Sequence, residues 1–512
     1  MLGKVQSMGV FGIDAFPVEV EVYVAGGDMP NLTVVGLPDA AVKESGDRVK
    51  AALKNSGFYF PGRSITVNLA PADRKKEGPA FELPMAIGLL QAFDAFEPAI
   101  DARYGIVGEL ALDGRVRKVN GCLSMALRAR DMGLDGLIVP QDNAREAGVV
   151  TDLDIIPVEH LTEAVDFLAG QRQIKPVRLD VHKLFRHSGQ YEFDFAEVRG
   201  QENAKRALEV AAAGGHNVLM IGPPGAGKSM LAKRLCSIMP QLQFEESLET
   251  TRVYSVTGQL DEDKALMAAR PFRAPHHTVS TAGLIGGGTH PKPGEISLAH
   301  HGVLFLDELP EFSRHTLESL RQPLEDGETT ISRANTTVTY PSRFMLVAAM
   351  NPCPCGYWGH PKRECNCGSN ARARYRNRVS GPLMDRIDIH VDVPPVEYRE
   401  LNADRKGEKS ESIRNRVEQA RQIQHERFQD APFFSNSRMQ TRHVRDCCQT
   451  DERAEALIRQ AMESLGLSAR AYTKILKVSR TIADLAGADQ IQAQHVSEAI
   501  NYRTLDRKQM EG

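Results

Sequence analysis

Two kinds of apolar pattern succeed one another along the chain, and the change from one to the other divides it. In the first third, Val18-Glu-Val-Glu-Val-Tyr-Val24 places an apolar residue at every second position, the mark of a strand with one buried face. Residues 32–37 and 64–70 read as further strands, and 136–140 as another. Between them, 39–55, 84–92 and 120–132 read as helices, and 105–116 reads as a hairpin turning at Asp113-Gly114. These predict an α+β domain over 1–170. Residues 171–194 mix charge with Pro176 and show little periodicity, which predicts a linker. In the middle third the pattern changes to short runs at 217–221, 303–306 and 344–350 that are apolar throughout save for Asn217. They read as buried strands of an α/β sheet, with helices at 202–213 and 230–236 and a hairpin at 329–340. The last third is helical: a charged and exposed helix at 410–428, then 451–464, 468–485 and 493–503, broken at Gly466 and Gly487.

Composition changes this picture little. The 512 residues leave room for about three domains of roughly 150 residues. A hydrophobic share of 42% is ordinary, and a net charge of −3 means that any nucleic-acid surface must be local. Met1-Leu-Gly-Lys-Val-Gln-Ser lacks the apolar core of a signal peptide, and no apolar run approaches membrane-span length. The expectation is a cytoplasmic protein with no membrane partner. Eight cysteines fit a reducing compartment, where clustered thiols bind metal.

The strongest chemical signal is Gly222-Pro223-Pro224-Gly225-Ala226-Gly227-Lys228-Ser229, which matches G-x-x-x-x-G-K-[ST] between a buried strand and a helix. Its glycines let backbone N–H groups surround phosphates, Lys228 would reach the β- and γ-phosphates, and Ser229 would ligate Mg²⁺. The run Val303-Leu-Phe-Leu ends in Asp307-Glu308, two carboxylates at the carboxyl end of a strand about 80 residues later. Asp307 would complete the Mg²⁺ shell and Glu308 would polarise the attacking water. ATP and Mg²⁺ are the cofactors this implies.

Half of the cysteines fall within fifteen residues: Cys353, Cys355, Cys365 and Cys367. Four thiolates can close a structural zinc site, although C-x-C is shorter than the usual knuckle; free thiols and a redox pair stay open beside it. Arg372, Arg374, Arg376 and Arg378 follow, interleaved with Tyr375. They read equally as a phosphate-backbone contact or as a solvated or nucleotide-facing helix. His276 and His277 show no partner at ligand spacing and read as structural or pore-lining.

Several segments resemble known families. The Gly200-Gln201 entry and the two nucleotide motifs resemble AAA+ ATPases, which implies a P-loop AAA+ core over 195–393, a connector helix over 394–440 and a C-terminal helical lid over 441–512. In that likeness Asn351 matches the sensor that orients water. Ser380-Gly-Pro-Leu-Met-Asp-Arg386-Ile-Asp388 resembles the arginine-finger motif of the chelatase-like branch, so Arg386 would serve a neighbouring subunit. Arg470, within Leu467-Ser-Ala-Arg-Ala-Tyr-Thr473, resembles the lid sensor of the γ-phosphate. Gly108–Gly121 and Lys76-Glu-Gly-Pro-Ala-Phe-Glu82 resemble the peptidase domain of Lon-type proteases. That family's serine and lysine are replaced here by Ala80 and Leu123, so the domain resembles Lon without its Ser–Lys chemistry. The insert before Asp307 and the 329–340 hairpin resemble the magnesium-chelatase-like AAA+ clade. With the Lon-like front they resemble the YifB/ComM family along nearly the whole chain, most specifically at Arg270–His277, Asn351-Pro-Cys-Pro-Cys-Gly356 and Ser380–Asp388. The resemblance implies a homo-oligomeric ring, a hexamer, that acts on single-stranded or branched DNA. It would be a branch-migration helicase promoting integration of incoming DNA in natural transformation. A chelatase-type motor subunit and a protein-remodelling chaperone are the alternative readings.

Overall fold

The computed structural model describes residues 2–25, 31–99, 103–180, 191–261, 264–288, 291–333, 336–396, 407–431 and 433–503. The chain forms two compact units, residues 1–188 with 243–268, and 189–242 with 269–512.

The first unit is built on a seven-stranded sheet. Its strands are β1 (Leu2–Phe11), β2 (Asp14–Val24), β3 (Asn31–Val35), β4 (Ser64–Ala70), β5 (Tyr104–Ile106), β6 (Gly136–Pro140) and β7 (Asp154–Val158), in the order β3-β4-β2-β1-β5-β6-β7. The alternation in β2 has the expected consequence: Phe16, Val18, Val20, Val22 and Val24 are buried. Each fully buried valine contributes about 1.5–3 kcal/mol of transfer free energy. Asp39 caps helix Ala40–Asn55 by accepting the Val42 N–H at 2.8 Å, and the hairpin at Asp113-Gly114 pairs Glu109–Leu110 with Val116–Arg117. Among the elements that escape the pattern reading are β1, β7 and the helices Ala144–Ala147 and Leu161–Leu168. In β1 glycine and lysine interrupt the alternation, and pairing with β2 from Leu2↔Tyr23 to Phe11↔Asp14 forms the strand instead.

Residues 243–268, read above as part of the ATPase core, belong to this first unit. Helix Phe244–Thr257 packs on helix Cys122–Asp131, and Arg252 donates to the Ile13 carbonyl at 2.9 Å. The Ser255 hydroxyl donates to the buried Glu146 carboxylate, which also accepts the Leu123 N–H at 2.8 Å and Asn143 Nδ2 at 3.1 Å. The buried face of this helix is largely Ser and Thr, so hydrophobic periodicity gives no sign of where it docks. The linker reading also narrows: Val177 bridges Ile155, which joins its first part to this unit. Residues 181–190 lie outside the described residues.

The second unit carries a five-stranded parallel sheet: β8 (Val218–Ile221), β9 (Phe272–Arg273), β10 (Val303–Leu306), β11 (Met345–Met350) and β12 (Ile389–Asp392), ordered β9-β10-β11-β8-β12. All of β8, β10 and β11 is buried, as wholly apolar runs in a parallel sheet require. The helices Glu452–Leu465, Ala469–Leu485 and Ala493–Asn501 share one apolar core with one face of this sheet. One expectation is overturned. Helix Ser410–Arg427 is not an exposed charged helix: Ile413, Val417, Ala420 and Gln424 form a buried stripe against helices Glu202–Gly214 and Lys228–Ile238. The charges around that stripe pair locally, as Arg416 does with Glu209 at 2.6 Å.

Candidate functional site

At the carboxyl end of β8 the chain turns through Gly225 (φ 78°) and Gly227 (φ 89°), in the left-handed region that glycine tolerates. Gly227 then caps helix Lys228–Ile238, whose first N–H groups face the turn. Lys228 is buried, and its ammonium donates to the carbonyls of Gly222 at 2.7 Å and Pro223 at 3.0 Å. Burial lowers its pKa, with Asp307 and Glu308 acting in the opposite sense. The third acceptor of Lys228 is Asn351 Oδ1 at 3.2 Å, which ties the phosphate loop to the end of β11.

Ser229 Oγ donates to Asp307 Oδ2 at 2.6 Å, so the two expected Mg²⁺ ligands meet across 78 residues of sequence. Glu308 holds left-handed backbone (φ 52°), an uncommon state for a non-glycine and one concentrated at functional sites. It lines, with Asp307, Asn351 and the loop from Pro224 to Ser229, one cleft of about 430 Å³. The structure therefore brings together the loop, Asp307, Glu308 and Asn351.

Sequence reasoning missed one neighbour. His277, expected to be structural or pore-lining, has Nδ1 3.4 Å from Glu308 Oε2. It follows β9, the strand beside β10, so the pairing of those two strands delivers it to the carboxylate. Nothing local in the sequence reveals that adjacency.

Two arginines lie elsewhere. Arg386 is ion-paired with Glu325, donates to the Pro382 carbonyl at 2.6 Å, and lines a separate 460 Å³ cavity with Glu318, Arg321 and Thr329. Arg470 is exposed and paired with Asp385 at 3.0 Å, next to Arg386 rather than among the residues of the phosphate cleft. The basic run is mostly engaged within the chain. Arg378 pairs with Glu311 at 2.8 Å, Arg372 donates to the Cys367 carbonyl at 2.6 Å, and Arg372 and Arg376 lie over Trp358 at 5.5 and 4.5 Å. Arg374 remains exposed, with one long bond to the Asn370 carbonyl.

The four cysteines converge so that their sulfurs all lie within 4.8 Å of one another. Cys353–Cys355, Cys353–Cys365 and Cys355–Cys365 are separated by 3.4, 3.6 and 3.7 Å, far beyond a disulfide bond. A zinc–sulfur bond of about 2.3 Å sets tetrahedral sulfur–sulfur edges near 3.8 Å, so the donor set fits zinc in number, softness and spacing. The Tyr357 backbone N–H pulls the Cys355 thiol down to about 6, while burial pushes Cys353 up to about 12. Adjacent thiols cannot all ionise without a cation among them. In the first unit, Ala80 and Leu123 are both buried in one apolar cluster, so neither position offers a nucleophile or a base. Among the described residues no helix is long and apolar enough to cross a membrane.

Comparison with known proteins agrees with this geometry. The chain matches the descriptions "Subunit ChlI of Mg-chelatase" over residues 20–143, "Magnesium chelatase, subunit ChlI" over 194–401 and its C-terminal part over 407–503. The Magnesium-chelatase 38 kDa subunit of Rhodobacter capsulatus is 28% identical over 31% of this chain and 50% of its own length. Competence protein ComM of Haemophilus influenzae is 44% identical over 99% of this chain and 98% of its own length. YifB of Salmonella typhimurium is 43% identical with the same coverage. A phosphate loop, paired carboxylates on a five-stranded parallel sheet, and relatives matched from end to end place the chain in the YifB/ComM family of magnesium-chelatase-like AAA+ ATPases.

Proposed function

We propose that this chain is the subunit of a homo-oligomeric ring, a hexamer, that hydrolyses ATP to move single-stranded or branched DNA in the cytoplasm. It acts as a branch-migration helicase that promotes integration of incoming DNA. The observation that carries the ring is the placement of Arg386: it stands at a cavity of its own, held by Glu325, and not in the cleft of its own phosphate loop. An arginine so placed supplies charge to a γ-phosphate only when a second copy brings it there. Arg470 is held by Asp385, the neighbour of Arg386 in sequence. The DNA substrate rests on full-length likeness to a protein named for competence.

In each site Lys228 and the loop amides hold the phosphates, Ser229 and Asp307 hold Mg²⁺, Asn351 orients water and Glu308 polarises it. When bound there, Mg²⁺ would supply positive charge against the phosphate oxygens. The four cysteines hold a structural Zn²⁺, and the first unit has no peptidase activity.

Two measurements test this reading. The first is ATPase rate with and without single-stranded and junction DNA, followed by strand displacement on the junction. Stimulation and displacement are expected; a ring that DNA neither stimulates nor engages refutes the DNA reading and leaves the chelatase-type or protein-remodelling motor. The second mixes Lys228→Ala chains with Arg386→Ala chains, each inactive alone. Mixing should restore part of the turnover, because some interfaces then pair an intact loop with an intact arginine. Independent sites would give no recovery.

A further inference from the structure

The cysteine cluster lies against the nucleotide site. The segment that carries it leaves β11 at Asn351, whose side chain accepts from Lys228, and reaches buried Cys353 two residues later. Gly356 then turns in left-handed backbone (φ 82°), its N–H donating to the Cys353 carbonyl at 3.0 Å. A Cβ at Gly356 would stand 2.6 Å from Cδ of Pro224, in the phosphate loop. The turn therefore touches that loop with no room for one more carbon. The far side of the cluster returns to the same place. Trp358 donates its backbone N–H to Cys353 Sγ at 3.3 Å and packs its ring under Arg376 of helix Ser369–Arg376, where buried Tyr375 meets the Asn351 backbone.

Residues 351–367 have almost no apolar core of their own: Pro354, Lys362, Arg363 and Glu364 are exposed, and Cys353 and Gly356 are the buried positions among them. Such a loop keeps its shape only if its four thiols are held together, and a metal bound there contributes its binding free energy to that shape. We infer that metal at Cys353, Cys355, Cys365 and Cys367 sets the nucleotide site through Gly356–Pro224 and Asn351, so that metal and ATP bind with positive coupling. This rests on the metal reading of the cluster and goes beyond a purely structural site, since it makes ATP affinity depend on metal occupancy.

Coupling is reciprocal, so the unaltered full-length protein provides the test. Zinc is competed against a zinc-selective chelator with and without a saturating non-hydrolysable ATP analogue, and is followed by emission of the single tryptophan, Trp358, and by metal analysis. Nucleotide should tighten zinc retention about tenfold, and zinc-stripped protein should bind a fluorescent ATP analogue about tenfold more weakly, with recovery when zinc is restored. Protein that binds no zinc refutes the metal reading itself. Protein that binds zinc equally with and without nucleotide keeps that reading and overturns the coupling. Gly356→Ala should hold zinc but lose the coupling; if this variant fails to retain zinc, the competition on the unaltered chain still decides.

Discussion

At the scale of single residues, the phosphate cleft was legible because its parts are local. Gly222 to Ser229 and Asp307-Glu308 are contiguous runs whose residue types follow from phosphate and Mg²⁺ chemistry, and the fold had only to bring two strand ends side by side. His277 and Gly356 were not legible: each matters through a contact more than 30 residues away, with Glu308 and with Pro224 respectively. Arg470 was legible as an arginine in a lid motif, but its partner Asp385 lies 85 residues before it in sequence. Glu308→Gln preserves shape while removing the carboxylate proposed to polarise water. We expect ATP affinity close to the parent's and turnover lower by ~10²-fold or more, read by nucleotide binding and phosphate release on the same sample. Normal turnover in that variant would assign water activation elsewhere.

At the scale of elements, strands with strict patterns were read well and amphipathic helices only in part. Helix Ser410–Arg427 looked solvated because arginines and glutamates outnumber its apolar residues, yet Ile413, Val417 and Ala420 at seven-residue reach define a buried stripe. The junction between sheet and lid helices is ionic as well as apolar. Asp388, just before β12, lies 3.5 Å from Lys474 on helix Ala469–Leu485 and 3.3 Å from His216 Nδ1. Burial alone would raise its carboxyl pKa; Lys474, then His216 and Lys477, hold it well below the usual range. A depressed folded value means that the ionised carboxylate stabilises the fold above the unfolded carboxyl range, near pH 3.9, and that this is lost as pH falls through the lower folded value. Asp388→Asn leaves the largely buried Lys474 ammonium beside a neutral amide. It should lower stability by about 3 kcal/mol at neutral pH, with the gap to the parent closing on acidification below about pH 4. Urea unfolding across that range checks it; a gap independent of pH would mean that packing, not charge, is responsible.

At the scale of the whole molecule, domain order was legible and domain continuity was not. The chain passes between the two units near residue 188, returns to the first at 243 and leaves it again after 268. A protease that nicks residues 181–190 should therefore yield two bands on a denaturing gel and one species on native sizing. The excursion stays seated through Arg252–Ile13 and Ser255–Glu146. Separation of the nicked pieces without denaturant would show that these contacts do not hold the unit together. The route also constrains descent. A gene that lost residues 1–188 by a single deletion would still encode the helix Phe244–Thr257, with Arg252 and Ser255 deprived of Ile13 and Glu146 as partners. Shedding the front unit therefore takes two coordinated genetic events, and replacing it by simple fusion at the amino terminus meets the same obstacle.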